Sequence, residues 1–315
     1  MINLTDPIFH DENKAREHLE AIRWPDGATC PHCGSVENIT RLAGAKHRPG
    51  LFQCNTCREH FTVTVGTVME RSHIPLPKWV LAFHLMASSK KGISAHQLHR
   101  MLDVTYKTAW FLAHRIREAM RDDTAEPMGG SGKIVEADET FIGTVKGRNV
   151  RRGHGHKRAV MSLVERGGKV RSFHIERANA ENVTAILRTQ VDRKSVLHTD
   201  EAKYYKTVGK EFTDHQSVNH SAEEYARPHV AFRDGKFTTE TVHTNTLEGY
   251  YSVFKRGMIG VYQHCSEQHL KRYVAEFDFR YNNRAATGVD DGERAGKAIK
   301  GADGKRLTYR QPVIG

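Results

Sequence analysis

The spacing of apolar residues changes from helical to strand-like along the chain. In the first 28 residues, Ala15, Leu19 and Ile22 recur at helical spacing, and the sequence PDG that follows them is typical of a turn. This pattern predicts a short helical lead-in over residues 1–28.

Residues 67–121 carry the pattern of a longer helical region. A helix is predicted to begin near Pro77, because proline suits the first turn of a helix. Ser94 and Thr105 are typical N-caps for the segments AHQLHRML and YKTAWFLAHRIREAM that follow them. The apolar positions expected on the inside of this helix pair are Leu98, Leu102, Val104, Ala109, Leu112 and Ile116.

This helix pair is rich in basic residues. The spacing favours a helix-turn-helix, with a plain helical hairpin as the alternative. If the second helix enters a major groove of DNA, its early residues Tyr106 and Lys107 would lie near bases or phosphates.

After the polar, glycine-rich linker 122–132, the chain takes on the alternation of strands. The segments IVEAD, RAVMSLVER and KVRSFHIE are predicted strands, and Gly167-Gly168 is a hairpin signal between the last two. A helix is predicted from Asn179 or Ala180, followed by a buried strand, VLHTD. Three strands, a helix and a strand are the core order of a ribonuclease H-like fold, in which the first and fourth strands are neighbours.

The predicted fold class is therefore α/β: a ribonuclease H-like domain with a mixed sheet flanked by helices, after smaller N-terminal modules. A further amphipathic helix is predicted over Ser266–Arg284, and glycine and charge dominate beyond it. The predicted divisions are a lead-in (1–28), a cysteine-rich module (29–66), a helical region (67–121), a linker (122–132), the α/β domain (133–285) and a loosely ordered tail (286–315).

The formal net charge is +11, which favours a polyanionic partner such as nucleic acid over a merely basic soluble enzyme. No apolar run approaches the roughly 18 residues of a membrane span. The N-terminus lacks the order of a signal peptide, so we expect a cytoplasmic protein with no membrane partner.

Four of the five cysteines form two CxxC pairs, Cys30 with Cys33 and Cys54 with Cys57. Two such pairs have the spacing of a closed Cys₄ zinc site, and the short strands predicted between them are typical of a zinc ribbon. His32 and His60 are alternative ligands, but four thiolates already complete a structural site.

Acidic residues follow two of the predicted strands and open a later helix. Our hypothesis is that Asp138, Asp200 and Glu248 meet around two Mg²⁺ or Mn²⁺ ions, although each aspartate taken singly could be a turn residue. Lys255 lies seven residues after Glu248, two helical turns away on the same face.

Four further residues lie close to the two aspartates in the sequence. Glu136 should point with Asp138 as a supporting group, and His198 is expected to be a packed core histidine. Glu139 and Glu201 are expected to cap a helix or face solvent.

The segment KGRNVRRGHGHKR is basic and glycine-rich, so it could follow a phosphate backbone. Its candidate DNA-binding residues are Lys146, Arg148, Arg151, Arg152, Lys157 and Arg158.

The segments ADETFIG, VLHTDE and HTNTLEGYYSVFKRGMIGVYQH closely resemble DDE-type transposases of a bacterial insertion-sequence family with an N-terminal zinc ribbon. The resemblance implies that Asp138, Asp200 and Glu248 are the acidic triad and that Lys255, beside Arg256, holds a DNA-end phosphate. Some members use asparagine as the third ligand, which leaves Asn245 as an alternative or helper to Glu248.

The resemblance also implies divalent metal, double-stranded DNA as partner (the terminal inverted repeats and the target), and at least two subunits on the two ends. It further implies a bacterial protein associated with the nucleoid. The expected function is metal-dependent DNA cleavage and strand transfer. The alternatives are a DNA-binding regulator with an inactive nuclease fold and a structure-specific nuclease of the same fold.

Overall fold

The chain folds into two units that do not follow the order of the sequence. A computed structural model describes residues 3–123, 126–145, 147–150, 153–233 and 236–308. One unit combines Met1–Arg121 with Asn283–Gly315, and the other is Asp122–Asn282. We call them the N-terminal unit and the α/β unit.

The helices are α1 (Glu12–Arg23), α2 (Leu76–Ser88), α3 (Ala95–Leu102), α4 (Tyr106–Ala119), α5 (Ala180–Gln190), α6 (Tyr205–Val208), α7 (Asn245–Gly257), α8 (Glu267–Asn282) and α9 (Asp291–Lys300). The strands are β1 (Ile39–Arg41), β2 (Phe52–Cys54), β3 (His60–Phe61), β4 (Ile134–Ile142), β5 (Arg158–Glu165), β6 (Val170–Ile175), β7 (Val196–Thr199), β8 (Asp214–Ser217), β9 (Ala226–Arg233) and β10 (Lys236–His243). No helix of the described chain is long and apolar enough to cross a membrane.

The helix pair α3–α4 has the capping chemistry that the sequence predicts. The Ser94 side chain accepts a hydrogen bond from the N–H of Gln97, and Thr105 accepts one from Thr108. Between the helices Asp103 takes a left-handed conformation with φ of 48°, which ends α3 and allows the turn. Five of the six predicted inside positions are buried; Val104 is half-buried.

The predicted loose tail is wrong over α9. Asp290 caps this helix by accepting from the N–H of Glu293, and Ala295, Ala298 and Ile299 are buried. The apolar face of α9 consists mainly of small alanines. The glycines and charged residues around them made this face difficult to recognise from the sequence. The sequence Asp290-x-x-Glu293 is a capping signal that could have revealed the helix.

The α/β unit is built on a five-stranded mixed sheet in the order β6–β5–β4–β7–β8. Strands β4, β5 and β6 are successively antiparallel, whereas β7 pairs in parallel with both β4 and β8. The first and fourth strands are therefore neighbours, as predicted. A separate antiparallel hairpin, β9–β10, follows the sheet and leads into α7.

Helices cover both faces of the sheet because its strands are apolar on both sides. On one face, Val135 and Ala137 pack in a cluster with Val183 and Leu187 of α5. On the other face, Val160 and Val164 pack with α7 and α8. The even-numbered residues of β4, including Glu136 and Asp138, therefore lie on the face of the sheet that α7 covers.

Two predicted boundaries in this unit differ from the structure. Strand β4 does not end at Asp138 but continues to Ile142, pairing with β5 along its length. The predicted linker is also partly structural, because Met128 is buried in the core of the α/β unit and bridges Val191.

Candidate active site

The strand register brings Asp138 and Asp200 to the same level of the sheet. The parallel pairing of β4 with β7 ends at the pair Glu136 and His198, and each aspartate lies two residues beyond it. The two carboxylates therefore follow the end of the shared ladder, where β7 stops and β4 continues, paired with β5.

Asp138 lies among other carboxylates. Burial raises its pKa well above the ordinary value, and the negative charges of Glu139, Asp200 and Glu248 raise it further. The N–H of Glu139 donates to Asp138 Oδ1 at 2.7 Å. Like charges brought together at a half-buried position favour a cation between them.

Glu248 is on the solvent-facing side of α7. Asn245, Glu248, Lys255 and Arg256 are all exposed, whereas Leu247, Tyr250, Tyr251 and Phe254 are buried on the opposite side. Glu248 and Lys255 therefore share a face, as the seven-residue spacing predicts. Arg256 is bound back to its own helix through the backbone carbonyl and hydroxyl of Ser252.

Glu136 has a more specific role than the sequence suggested. It is fully buried and accepts hydrogen bonds from the N–H groups of Thr246 at 3.1 Å and Leu247 at 3.3 Å. These are two of the first-turn N–H groups of α7 that lack an acceptor within the helix, and the N-cap residue Thr244 provides no side-chain cap. A carboxylate of the central strand thus caps the helix that carries Glu248.

Arg166 joins this cap to the neighbouring strand. Its guanidinium lies 3.1 Å from Glu136 Oε1, 3.2 Å from His198 Nδ1 and 2.9 Å from the carbonyl of Thr241. His198 is a buried core residue, as expected, and burial lowers its pKa to about 4. Sequence reasoning missed Arg166, because it lies in the turn after β5 and is distant in sequence from every partner.

His220 is a second residue that the sequence analysis missed. Its Nε2 lies 3.6 Å from Glu248 Oε1 and 3.3 Å from the Thr244 hydroxyl. Burial raises the pKa of Asp200, and the charge of Glu201 raises it further, whereas a positive charge on His220 opposes this rise. His220 is therefore beside both the second and the third acid.

The acids that follow the two aspartates take different roles. Glu201 accepts from the hydroxyl of Ser221 and from the N–H groups of His220 and Ser221, so it caps that short turn, as expected. Glu139 does not cap a helix or simply face solvent. It accepts hydrogen bonds from the hydroxyls of Tyr204 and Tyr205, and burial raises its pKa to about 7.

The three acids are not the tightest group of ligand atoms. Among the described residues, two sets have one ligand atom from each member within 4.8 Å of all the others. One is the cysteine set, and the other is Asp214, His229 and Glu240. Asp138, Asp200 and Glu248 are coupled through their charges but do not form such a set.

The four paired cysteines converge as a zinc site requires. Cys30 Sγ lies 3.7 Å from Cys57 Sγ, and Cys33 Sγ lies 3.7 Å from Cys54 Sγ. Four thiolates at about 2.3 Å from one ion would be about 3.8 Å apart, so the donor set fits tetrahedral Zn²⁺. The exposed His60 and His32 are not part of this set.

The zinc site lies on a small three-stranded sheet, in the order β1–β2–β3. Trp24, Phe52 and Phe61 pack beside the cysteines with ring centroids 5.5–5.7 Å apart. Metal and aromatic packing together supply a core that such short strands lack by themselves.

The predicted DNA-binding residues outside α7 differ in their surroundings. Tyr106 and Lys107 are exposed at the start of α4, where Tyr106 stacks on His96 with centroids 4.3 Å apart. Arg148 and Lys157 are half-buried around a cavity of about 490 Å³ beside Phe141. The predicted residues Lys146, Arg151 and Arg152 lie outside the described residues.

Arg158 differs from this expectation. Its guanidinium donates to the backbone carbonyls of Cys265 and Thr144, which links β5 to the segment before α8. Its position favours a supporting role for the fold over a contact with DNA.

Comparison with known families decides the class of this protein. Residues 129–282 match the ISXO2-like transposase domain, and residues 10–60 match the transposase zinc-ribbon domain. The chain belongs to this family of insertion-sequence transposases. The transposase domain match ends at residue 282, where the α/β unit also ends.

The transposase is also similar to an uncharacterized protein in the transposable element ISH50 of Halobacterium salinarum. The two are 28% identical over 292 residues, which cover 86% of this chain and 91% of that protein. The similarity thus extends over both units of the transposase.

Proposed function

We propose that this transposase binds the terminal inverted repeats of its element and catalyses metal-dependent cleavage and strand transfer of DNA. The observation that carries the proposal is the register of β4 and β7. It sets Asp138 and Asp200 side by side beyond the last paired residues, with Glu248 close enough to raise the pKa of Asp138.

The sheet supports a ribonuclease H-like domain. Its five strands, counted in the order in which they occur along the chain, are arranged third, second, first, fourth, fifth across the sheet. The first three are successively antiparallel, and the fourth is parallel to the first. This matches the core order expected from the sequence.

Asp138, Asp200 and Glu248 would hold two Mg²⁺ or Mn²⁺ ions, because these ions prefer carboxylate oxygens. When bound, the ions would activate the attacking oxygen and stabilise the leaving oxygen of an in-line displacement. Asn245, exposed one turn before Glu248, is the alternative or additional third ligand.

The remaining side chains position DNA around these acids. Lys255 lies two turns beyond Glu248 on the exposed face of α7, where its ammonium group would bind a phosphate near the DNA end. Water would attack the phosphodiester at the element end and release a 3′-hydroxyl. That hydroxyl would then attack a target phosphodiester, forming a new bond as the target strand breaks.

Recognition of the ends is assigned to the N-terminal unit. The zinc ribbon and the α3–α4 pair, with Tyr106 and Lys107 at the exposed start of α4, would contact the repeats. Arg148 and Lys157, with Lys146, Arg151, Arg152 and Arg256, would add salt-dependent affinity for the backbone. At least two subunits would hold the two ends together.

The test compares Asp138→Asn, Asp200→Asn, Glu248→Gln and Asn245→Ala with a matched control, Glu211→Gln. Glu211 is an acid of the same unit that pairs with Arg188. Loss of an acid that holds metal should slow cleavage of repeat ends by about a thousandfold, since several kcal/mol of charge stabilisation is lost. Binding of the ends, measured in Ca²⁺, should be retained, and Glu211→Gln should cut normally.

The outcomes separate the rival functions. Normal Mg²⁺-dependent cutting by Asp138→Asn or Asp200→Asn would refute the site. Bound ends that are never cut by the wild type would favour a regulator, and cutting of branched DNA without joining would favour a nuclease. A larger loss in Asn245→Ala than in Glu248→Gln would move the third ligand to Asn245.

A further inference from the structure

Three side chains of the α/β unit converge where the β9–β10 hairpin comes close to β8. Asp214 is on β8, and His229 and Glu240 are directly opposite each other in the hairpin register. One ligand atom of each lies within 4.8 Å of the other two, and His229 Nε2 is 3.3 Å from Asp214 Oδ2.

These distances suit a metal ion. Nitrogen and oxygen ligands about 2.1 Å from a tetrahedral zinc ion are about 3.4 Å from one another, which is close to the His229–Asp214 separation. All three side chains are half-buried, so that solvent can complete the coordination.

Neighbouring groups orient both carboxylates. The amide of Gln216 donates to Asp214 Oδ1 at 2.9 Å, which leaves Oδ2 facing His229. His198 is fully buried, and its Nε2, which has no hydrogen-bond partner within the described chain, lies 3.5 Å from Glu240 Oε1.

The protonation of His198 follows from its other neighbour. Arg166 can only donate, so His198 Nδ1 accepts and the proton is on Nε2, facing Glu240. His198 is therefore not a ligand; its N–H faces the Glu240 carboxylate, the position that outer partners of metal ligands occupy.

We propose that Asp214, His229 and Glu240 bind a divalent transition-metal ion, with Zn²⁺ as the reference ion. An imidazole among the donors favours such an ion over Mg²⁺, which prefers oxygen ligands alone. This site is distinct from the Cys₄ site and from the three acids, and it does not depend on the proposed function.

Such an ion would fix the hairpin and the start of α7. Glu240 is linked through His198 and Arg166 to Glu136, the carboxylate that caps α7. Strand β10 ends at His243 and α7 begins at Asn245, so anchoring Glu240 restrains the segment that leads to Glu248.

The experiment counts zinc in the full-length protein carrying Asp138→Asn and Asp200→Asn, which disable the acidic triad. After equilibration with zinc in excess Mg²⁺ and removal of loose metal, elemental analysis should give two ions per chain. Adding His229→Asn or Glu240→Gln should reduce the count to one. Adding His174→Asn, at a half-buried histidine with a single carboxylate at 3.9 Å, should leave it at two.

A count of one before His229 is changed would overturn the proposal, whatever the variants do. The proposal would also be overturned if both His229→Asn and Glu240→Gln still bound the second ion. Loss of the second ion in His174→Asn, to the same extent as in these variants, would overturn it as well. Co²⁺ substitution checks the ligands independently of variant folding, because the second ion should lack the thiolate charge-transfer absorption of the Cys₄ site. A thiolate signal from both ions would refute the assignment.

In the same Asp138→Asn and Asp200→Asn background, zinc should slow amide exchange in β9 and β10. Unchanged exchange in these strands would count against the proposed site.

Discussion

At the scale of single residues, Glu136 connects the central strand to the helix that carries the third acid. It is buried, it caps α7 through Thr246 and Leu247, and it pairs with Arg166. Four donors thus converge on one carboxylate from segments far apart in sequence, since Thr246 also donates through its hydroxyl. This explains why an acid that is not a proposed metal ligand is fully enclosed.

We predict that Glu136→Gln lowers the free energy of unfolding of the α/β unit by about 2–4 kcal/mol, because it removes the charge that Arg166 and the helix N-terminus require. Urea-dependent pulse proteolysis, with fragments assigned to Asp122–Asn282, measures the change. The control is Glu211→Gln, since the ion pair of Glu211 with the exposed Arg188 lies at the surface and should contribute little to stability. Equal effects of the two substitutions would contradict the capping role.

Asp278 gives a prediction about pH. It is half-buried on α8 and accepts hydrogen bonds from Tyr250 and from the hydroxyl and N–H of Ser172, and burial raises its pKa to about 6. In the unfolded chain it would titrate near pH 4. Its contribution to stability is therefore complete below about pH 4 and is lost as the pH rises through about 6.

The same pulse-proteolysis measurement on wild type and Asp278→Asn tests this sign. Relative to the variant, the wild type should lose about 1–1.5 kcal/mol of unfolding free energy between pH 5 and 8. The comparison cancels groups that titrate equally in both proteins. Parallel pH profiles, or a wild type that gains relative stability at high pH, would show that burial does not raise this pKa.

At the scale of elements, the sequence predicted those whose signals are local. The caps Ser94, Thr105 and Asn179 mark the starts of α3, α4 and α5, and short, largely apolar runs mark β5 and β7. These features depend on residues a few positions apart, so no tertiary information is needed.

The elements that were missed or misjudged depend on distant partners. Strand β4 extends past Asp138 because β5 pairs with it as far as Ile142, a pairing that the segment ADETFI does not reveal. The hairpin β9–β10 and its cluster with Asp214 went unpredicted because exposed, polar strands lack clear alternation. The candidate site was found for a different reason: its aspartates follow strands whose order could be inferred.

At the scale of the whole molecule, the N-terminal unit is completed by the C-terminal end of the chain. Helix α9 packs on α2 and α1, Asp303 pairs with Arg23 at 2.7 Å, and Arg294 donates to the carbonyl of Ala87. The chain therefore leaves this unit, forms the α/β unit and returns.

This topology predicts that deleting residues 283–315 destabilises the N-terminal unit selectively. All three tryptophans, Trp24, Trp79 and Trp110, belong to that unit, so tryptophan fluorescence reports on it alone. The deletion should shift the fluorescence unfolding midpoint to lower urea and speed amide exchange in α2. Exchange in β5 and β6 should be unchanged, since their partners are within the α/β unit.

Two variants make the test specific to α9. Truncation after Thr308 keeps α9 and should leave the fluorescence transition in place. Ala298→Asp keeps the full length but places a charge at a fully buried position, so it should cost the N-terminal unit about 3 kcal/mol or more. If the 283–315 deletion and Ala298→Asp both leave the tryptophan transition unchanged, α9 does not stabilise this unit. If β5 and β6 lose protection together with α2, the two units unfold as one cooperative body, and the return of the chain stabilises the whole transposase.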